Sequence, residues 1–203
     1  MKLYYSPGTC ALADHIVLEW IGQPFDTVRL SAEDRKTPAY LALNPAGVVP
    51  TLDDDGWILN QNVAILNYLA DRFPDAKLGG DGTPKSRAVV NQWLSFSNAD
   101  VHPVFKTFFG GAAWLQDEAL SVRAKDNARK TLRTLFERAD KQLAGKDWIA
   151  GTRSIADPYL FVVLRWARAT KVDLSGLDHV HAFFERMRKD PGVERALAAE
   201  GLD

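Results

Sequence analysis

The first thirty residues constrain the fold most, because strand and helix patterns alternate there around one turn. Residues 2–5 alternate as in a short strand, and Pro7 and Gly8 give a turn signal directly after it. Apolar residues then recur at helical spacing up to Gly22, and residues 25–30 alternate again as a second strand. The segment therefore predicts a β-α-β unit with Cys10 at the N-terminus of its helix.

Cys10 is the only cysteine in the chain, and its predicted position suggests a chemical role. The peptide dipoles and unpaired N–H groups of a helix N-terminus favour an anion, so we expect them to lower the pKa of this thiol. The alternative is a buried cysteine that acts as a small apolar side chain. The layout is that of thioredoxin-like domains, but the second cysteine of a C-x-x-C pair is absent. A reactive Cys10 therefore needs an external thiol partner, and glutathione is the abundant one.

The length of 203 residues and a change of pattern near residue 75 favour two domains. The net charge is −1 with acidic and basic residues interspersed, which argues against nucleic acid or a membrane surface as partner. No apolar run reaches the roughly 18 residues of a membrane span, and the first residues lack a secretory-signal pattern. Since one cysteine also excludes a disulfide scaffold, we expect a cytoplasmic protein.

The pattern of the first half continues with a short irregular helix over residues 31–44 and two more strands. Pro50 interrupts the apolar run 48–52. Because proline cannot donate to a strand ladder, we expect it at a strand start, an edge or a bulge, in a peptide bond that can be cis. Three aspartates before Gly56 indicate a hairpin turn rather than a cation site.

A helix is predicted over residues 63–73, with Asn60 or Asn62 as its cap and Pro74 as its end. The residues that follow are rich in proline and glycine and show no periodicity, which is typical of a linker.

The second half is predicted to be helical throughout. An apolar stripe from residue 90 to residue 108 indicates one long helix, with Ser95, Asn98 and His102 as a polar flank and a kink at Pro103. Taken alone, a histidine on such a flank is most simply solvated. A second long helix follows over residues 128–143, and two shorter helices close the chain.

Ser154 and Asp157 form a capping-box pattern in front of a run, residues 159–164, that is apolar on every face. This run is predicted to lie at the centre of the helical half. Asp157 is therefore interpreted as a structural residue and not as a catalytic carboxylate.

Taken together, these elements and several separated motifs resemble the cytosolic glutathione transferases, and in particular their bacterial beta class. The resemblance covers essentially the whole chain, and the motifs that carry it are residues 1–13 with His15, then 44–45, 49–50, 63–65, 68–71, 154–157, 159–161, 164–167 and 199–202. It implies a thioredoxin-like α/β domain over residues 1–75, a linker over 76–83, and an all-helical domain over 84–203 that carries the acceptor site.

The resemblance also implies site residues. Cys10 matches the cysteine beside the glutathione sulfur, and His102 matches the histidine that approaches the thiol from the helical domain, which replaces the solvated interpretation. The glutathione-binding residues it implies are Tyr5, Val49, Pro50, Gln61 and Asn62. In this comparison Val49 pairs its backbone with the cysteinyl part of the tripeptide, as an added strand would. Gln61 and Asn62 hold the γ-glutamyl end at a helix N-terminus.

The function implied is conjugation of glutathione, as co-substrate, to a small hydrophobic electrophile, with thiol-disulfide exchange through Cys10 as a related activity. Cys10 is either a covalent anchor or the conjugation catalyst. A homodimer is implied, and we predict no metal, because four histidines and one cysteine form no ligand cluster. The aromatic residues that we expect near the acceptor pocket are Phe105, Phe109, Trp114 and Trp166.

Four positions depart from the beta-class pattern. Gln61 stands where glutamate is common, Asn62 where serine or glycine is usual, Pro103 where a basic residue is frequent, and Ser95 where asparagine is common. Gln61, Asn62 and Pro103 are the three that we expect to weaken glutathione binding. A loss of about 0.5–1.5 kcal/mol at each would lower glutathione affinity by about one to three orders of magnitude. The alternative function is therefore a glutathione-binding protein without turnover.

Overall fold

The computed structural model describes residues 1–111 and 113–202. Its first half is built on a four-stranded sheet with strand order β2-β1-β3-β4, in which β1 and β2 are parallel and the other two pairs are antiparallel. The strands are β1 Lys2–Tyr5, β2 Asp26–Arg29, β3 Thr51–Asp54 and β4 Trp57–Asn60. The predicted β-α-β start and the hairpin turn after Asp53 are confirmed. The Asp53 carboxylate accepts from the backbone N–H of Gly56 at 2.7 Å, as a turn residue does.

Three α-helices accompany the sheet. They are α1 Ala11–Ile21, α2 Pro38–Leu43 and α3 Asn62–Arg72, with short 3₁₀ turns at Asp34–Lys36 and Pro74–Ala76. Helix α1 ends at Gly22, whose φ of 71° is the left-handed conformation that a residue without a Cβ adopts freely. The cap predicted for α3 is wrong. Gln61 occupies the N-cap position, and neither Asn60 nor Asn62 does.

The second half is helical. Its α-helices are α4 Pro84–Ser95, α5 His102–Phe105, α6 Glu118–Leu143, α7 Ala156–Ala169, α8 Asp178–Arg188 and α9 Pro191–Glu200. The single long helix predicted over residues 90–108 is wrong, because π-helical segments at Phe96–Val101 and Thr107–Gly111 interrupt it. Pro103 has no N–H to continue an α-helical ladder, which fits a change of helix type at this point.

The capping box predicted at the start of α7 is confirmed only in its Asp157 half, because Ile155 and not Ser154 occupies the N-cap position. The buried Asp157 carboxylate accepts from the backbone N–H groups of Ser154, at 2.8 Å, and of Ile149, at 2.9 Å. The Ser154 hydroxyl donates to the same carboxylate at 3.0 Å and accepts from the N–H of Ala156, whereas the serine of a complete capping box accepts from the N–H of the residue three positions on, here Asp157. Burial raises the pKa of Asp157 to about 7. Asp157 therefore ties the loop before α7 to the helix itself.

The two halves share one continuous apolar core. Helix α1 lies at its centre, because it packs against α3 in its own half and against α7 and α9 in the other. Residues Tyr159 to Leu164 are buried, as their apolar pattern predicts. The boundaries at residues 75, 76–83 and 84 stay a prediction. Within residues 1–111 and 113–202, no helix combines the length and apolar character that a membrane span requires.

Candidate active site

A cleft of about 710 Å³ opens between the sheet half and the helical half, with Cys10 in its wall. We call it the Cys10 cleft. The sheet half contributes Gly8, Thr9, Cys10, Arg35, Asn44, Val48, Val49, Pro50, Asn60, Gln61 and Asn62, and the helical half contributes Asn98, His102, Lys106, Phe109, Tyr159 and Trp166. Six of the seven site residues named from sequence therefore meet in one place.

Tyr5 is the exception. Its side chain is buried, its hydroxyl is 3.5 Å from the backbone carbonyl of Ala199, and its ring packs on His15. It is not among the residues of the described chain that line the Cys10 cleft. The reason is the alternation of β1, which directs Leu3 and Tyr5 into the core and leaves Tyr4 between them half-buried.

The loop before Cys10 is held by side chains from the helical half. Gly8 has a φ of +69°, and an added Cβ would contact Leu202. Its carbonyl accepts from Trp166 Nε1 at 2.8 Å, and its N–H donates to the carboxylate of Glu200 at 2.9 Å. The position of the thiol thus depends on residues more than 150 positions away in sequence.

Cys10 occupies the N-cap position of α1, and its side chain is only partly exposed. The thiol donates to the carbonyl of Val49 at 3.7 Å, and the Asn62 amide donates to the carbonyl of Cys10 at 2.6 Å. The expected low pKa is wrong. Burial, followed by the nearby Asp14 carboxyl, raises the pKa of Cys10 to about 12, against hydrogen bonds from Asn62 and the helix N-terminus that favour the thiolate. At neutral pH the group is a thiol.

The Val49–Pro50 peptide bond is cis, as considered from the sequence. The carbonyl of the preceding residue, Val48, accepts from the hydroxyl of Tyr40 at 2.6 Å and from the amide of Asn44 at 2.7 Å. Tyr40 and Asn44 also hydrogen-bond the hydroxyl of Thr51. This buried polar network fixes the segment that presents the Val49 backbone to the cleft.

Gln61 and Asn62 begin α3 at the edge of the cleft. Gln61 has a φ of +78°, which is unusual and unfavourable for a residue with a side chain. The Asn62 side chain is buried, and its Oδ1 atom has no hydrogen-bond partner among the described residues. A buried amide oxygen without a partner is unfavourable, so this atom is suited to accept from a ligand N–H group.

From the opposite wall, His102, Tyr159 and Asn98 form a hydrogen-bonded chain. The Tyr159 hydroxyl donates to Asn98 Oδ1 at 3.0 Å and lies 2.7 Å from His102 Nδ1. Because the hydroxyl has one proton, His102 Nδ1 is the donor to it, and Nε2 is left as an acceptor. Burial, and then the charge of Lys106, lower the pKa of His102. The imidazole is therefore neutral near pH 7 and able to take up a proton.

An aromatic wall lies beside His102. The ring of Trp166 is 4.8 Å from that of His102 and 5.3 Å from that of Phe109, and the fully buried Phe105 packs behind both Trp166 and Phe109. Phe109 and Trp166 line the cleft as expected, whereas Trp114 is 77% exposed and is not among the lining residues. The wall offers an apolar surface close to the thiol.

Arg35, Lys106 and Tyr159 are among the lining residues that the sequence analysis did not name as site residues. Arg35 and Lys106 place a cation on each side of the cleft, and Tyr159 connects His102 to Asn98. Lys106 follows His102 by one helical turn, which is a signal that the sequence contained. Tyr159 was assigned to the core, although a buried tyrosine hydroxyl usually finds a partner. Among the described residues, no group of three or more His, Cys, Asp or Glu side chains is arranged to hold a metal ion.

Comparison with known proteins agrees with this architecture. The protein-family model for the glutathione S-transferase N-terminal domain matches residues 13–77 of this chain. The family model for the glutathione S-transferase C-terminal domain matches residues 96–191. A glutathione S-transferase of Xanthomonas campestris, GST-4.5, is 55% identical, with both chains fully covered. The structure of a glutathione S-transferase from Xylella fastidiosa has a TM-score of 0.97 at 53% identity, covering 100% of this chain and 99% of that one. A bacterial beta-class enzyme from Sphingomonas chungbukensis has a TM-score of 0.88 at 38% identity, with both chains fully covered.

Proposed function

Because the chain belongs to the glutathione S-transferase family, we propose that its Cys10 cleft binds glutathione and conjugates the glutathione sulfur to apolar electrophiles. The family, the thioredoxin-like domain and the all-helical domain were all expected from the sequence and are confirmed. The observation that carries the proposal is the convergence of Cys10, Val49 and Asn62 from one domain with His102 and Trp166 from the other around a single cleft.

The donor set fits glutathione. The unpartnered Oδ1 of Asn62 is an acceptor for the γ-glutamyl ammonium, and the N-terminus of α3 favours the carboxylate beside that ammonium. Arg35 and Lys106 are cations for the carboxylate at the glycyl end. The backbone of Val49 is the partner for the cysteinyl part between them. This arrangement brings the sulfur of the tripeptide next to Cys10 Sγ.

In the conjugation step, the proton of the glutathione thiol passes to Nε2 of His102. The sulfur then forms a bond to the electrophilic carbon, and the leaving group departs with the electron pair of its bond to that carbon. Cys10, as a neutral thiol, turns its S–H from the Val49 carbonyl to the sulfur anion and stabilises that anion by a hydrogen bond. Phe109 and Trp166 bind the apolar part of the acceptor and exclude water from the reacting atoms.

Thiol-disulfide exchange through Cys10 is the second candidate, and the partial exposure of the thiol in the cleft favours it. In this reaction the Cys10 thiolate attacks a glutathione disulfide, forms a mixed disulfide and releases one glutathione thiolate. The raised pKa makes this activity slow at neutral pH. The substitution Cys10→Ala separates the roles: loss of exchange with retained conjugation assigns an anchor, and loss of both makes Cys10 central to conjugation.

We further propose a homodimer in the cytoplasm, as the resemblance implies. Among the described residues, Trp57, Leu120 and Val122 are large apolar side chains that are about half exposed, and covering them by a second copy of the chain would remove apolar area from water. Light scattering coupled to size-exclusion chromatography tests the dimer. A mass of one chain at micromolar concentration would contradict it.

The proposed function is tested by calorimetric titration with reduced glutathione, followed by rate measurements with an activated aryl halide. We expect His102→Gln to lower kcat about a hundredfold, because it removes the base, while glutathione binding is retained. His179→Gln is the matched control, since His179 is an exposed histidine on α8 outside the cleft. Binding without turnover in wild type would favour the non-catalytic alternative, and absence of binding would overturn the proposal.

A further inference from the structure

The charged side chains that line the Cys10 cleft are both cations. The described lining contains Arg35 and Lys106 and no aspartate or glutamate. Among the described residues, neither cation forms an ion pair with a carboxylate. At neutral pH glutathione brings two carboxylates and one ammonium, so it neutralises only one of the two cations. The cleft with glutathione bound therefore keeps a positive charge that favours a further anionic group.

Lys106 lies on the wall of the cleft that carries the acceptor rings. It follows His102 by one helical turn, and its backbone carbonyl accepts from the N–H of Phe109 at 3.2 Å and from that of Gly111 at 2.7 Å. A Cβ added to Gly111 would lie 2.4 Å from this carbonyl, so the turn is tightly closed. The turn fixes Lys106 beside Phe109, whose ring is 5.3 Å from that of Trp166.

Arg35 lies on the opposite wall, in the 3₁₀ turn of the sheet half, as does Val49. Under the proposed function the glycyl carboxylate of glutathione meets both cations, of which Arg35 is sufficient, because a guanidinium holds a carboxylate through two parallel hydrogen bonds. The γ-glutamyl carboxylate has the N-terminus of α3. Lys106 is therefore available to an anionic group that glutathione does not supply.

We propose that Lys106 determines acceptor specificity in the Cys10 cleft, by selecting electrophiles that combine an apolar body with a carboxylate. The inference rests on the proposed function and narrows its substrate class. The rings of Phe109 and Trp166 contact the apolar body, and the ammonium of Lys106 pairs with the carboxylate. Because Lys106 is exposed, water and salt screen this pair, and we expect a preference of about fivefold.

Two acceptors of the same shape and different charge test the proposal. The anionic one is 4-chloro-3,5-dinitrobenzoate, and the neutral one is 4-chloro-3,5-dinitrobenzamide. The kcat/KM of each at saturating glutathione is divided by the rate constant of its uncatalysed reaction with glutathione, and the ratio of the two quotients is the anion preference. Effects on glutathione binding or on His102 are common to both acceptors and cancel in this ratio. We expect a ratio of about five in wild type and about one in Lys106→Met, which keeps an apolar stem without the charge.

Lys130→Met is the matched control. Lys130 is an exposed lysine of α6 that is not among the described residues lining the cleft, so this variant should keep the wild-type anion preference. Arg35→Met should raise the KM for glutathione and keep the anion preference as well. A wild-type ratio near or below one would overturn the proposal. So would a preference that persists in Lys106→Met, or one that is lost in Arg35→Met instead.

Binding of unreactive analogues separates failure of this proposal from failure of the proposed function. The dissociation constants of 3,5-dinitrobenzoate and 3,5-dinitrobenzamide are measured by calorimetry in the presence of saturating glutathione. We expect the benzoate to bind about fivefold more tightly than the benzamide in wild type and equally in Lys106→Met. Equal binding in wild type would overturn the role of Lys106. The expected preference in binding, without turnover of either acceptor, would support that role and overturn conjugation alone.

Discussion

Replacement of Glu200 by alanine should destabilise the protein strongly, although this residue is only two positions before the last described residue. The Glu200 carboxylate is buried, and it contacts His15 Nδ1 at 3.0 Å and accepts from the N–H of Gly8 at 2.9 Å. Alanine removes both contacts and leaves a buried imidazole nitrogen and a partly buried N–H group unpaired. Loss of one member of a buried pair costs about 3–5 kcal/mol.

For a chain of this length, each kcal/mol lowers Tm by about 2–4 °C, so Glu200→Ala should lower Tm by about 6–20 °C. Differential scanning calorimetry measures the change. Glu200→Gln keeps one acceptor for Gly8 and should lose about half as much. Glu194→Ala is the control, because Glu194 is exposed on the same helix and its removal should cost about 0.5 kcal/mol or less. A shift for Glu200→Ala as small as that of the control would refute the inference that the contacts of Glu200 with His15 and Gly8 stabilise the fold.

Three further predictions concern the cleft and its support. Asp157→Ala leaves the N–H groups of Ile149 and Ser154 unpaired. The free energy of unfolding, measured in urea, should therefore fall by about 3 kcal/mol or more. A decrease below about 1 kcal/mol would contradict the capping role of Asp157. Tyr159→Phe removes the hydroxyl that accepts from His102 Nδ1 and so holds the His102 tautomer. The kcat with an aryl halide should fall about tenfold or more with little change in KM. An unchanged kcat would argue against a role for the His102–Tyr159 hydrogen bond. Because the pKa of His102 is below its ordinary value of about 6.5, activity should be constant near pH 7 and fall only at lower pH. Lys106→Ala removes a cation that opposes protonation, so it should move the acidic limb of the kcat/KM profile to higher pH; a shift to lower pH contradicts the argument.

The first half of the fold was predictable because its elements are short, periodic and separated by strong turn signals. Residues 2–5 and the helix that ends at Gly22 needed no information from elsewhere in the chain. The sequence did not predict that π-helical segments would interrupt the helix around His102. An apolar stripe of helical spacing does not distinguish α-helical from π-helical turns, and Pro103 marks only that the ladder must change.

The protonation state of the site residues was less predictable from the sequence than the identity of those residues. The helix N-terminus at Cys10 correctly indicates a stabilising field for the thiolate, but the decisive contributions are burial and the Asp14 carboxyl. Asp14 is visible in the sequence, yet its burial depends on α7 and α9, which are distant in sequence. The same holds for Glu200, which reaches Gly8 over 192 positions. Contacts between residues so far apart in the chain leave no local pattern in the sequence.

The central claim is that the Cys10 sulfur faces a cleft that binds glutathione. Intact-mass analysis after incubation with oxidised glutathione tests it most directly, at about pH 9 so that enough of the thiol is ionised to react. We predict one glutathione adduct per chain in wild type and none in Cys10→Ala. Wild-type protein that reacts with iodoacetamide at this pH but acquires no glutathione would contradict the claim.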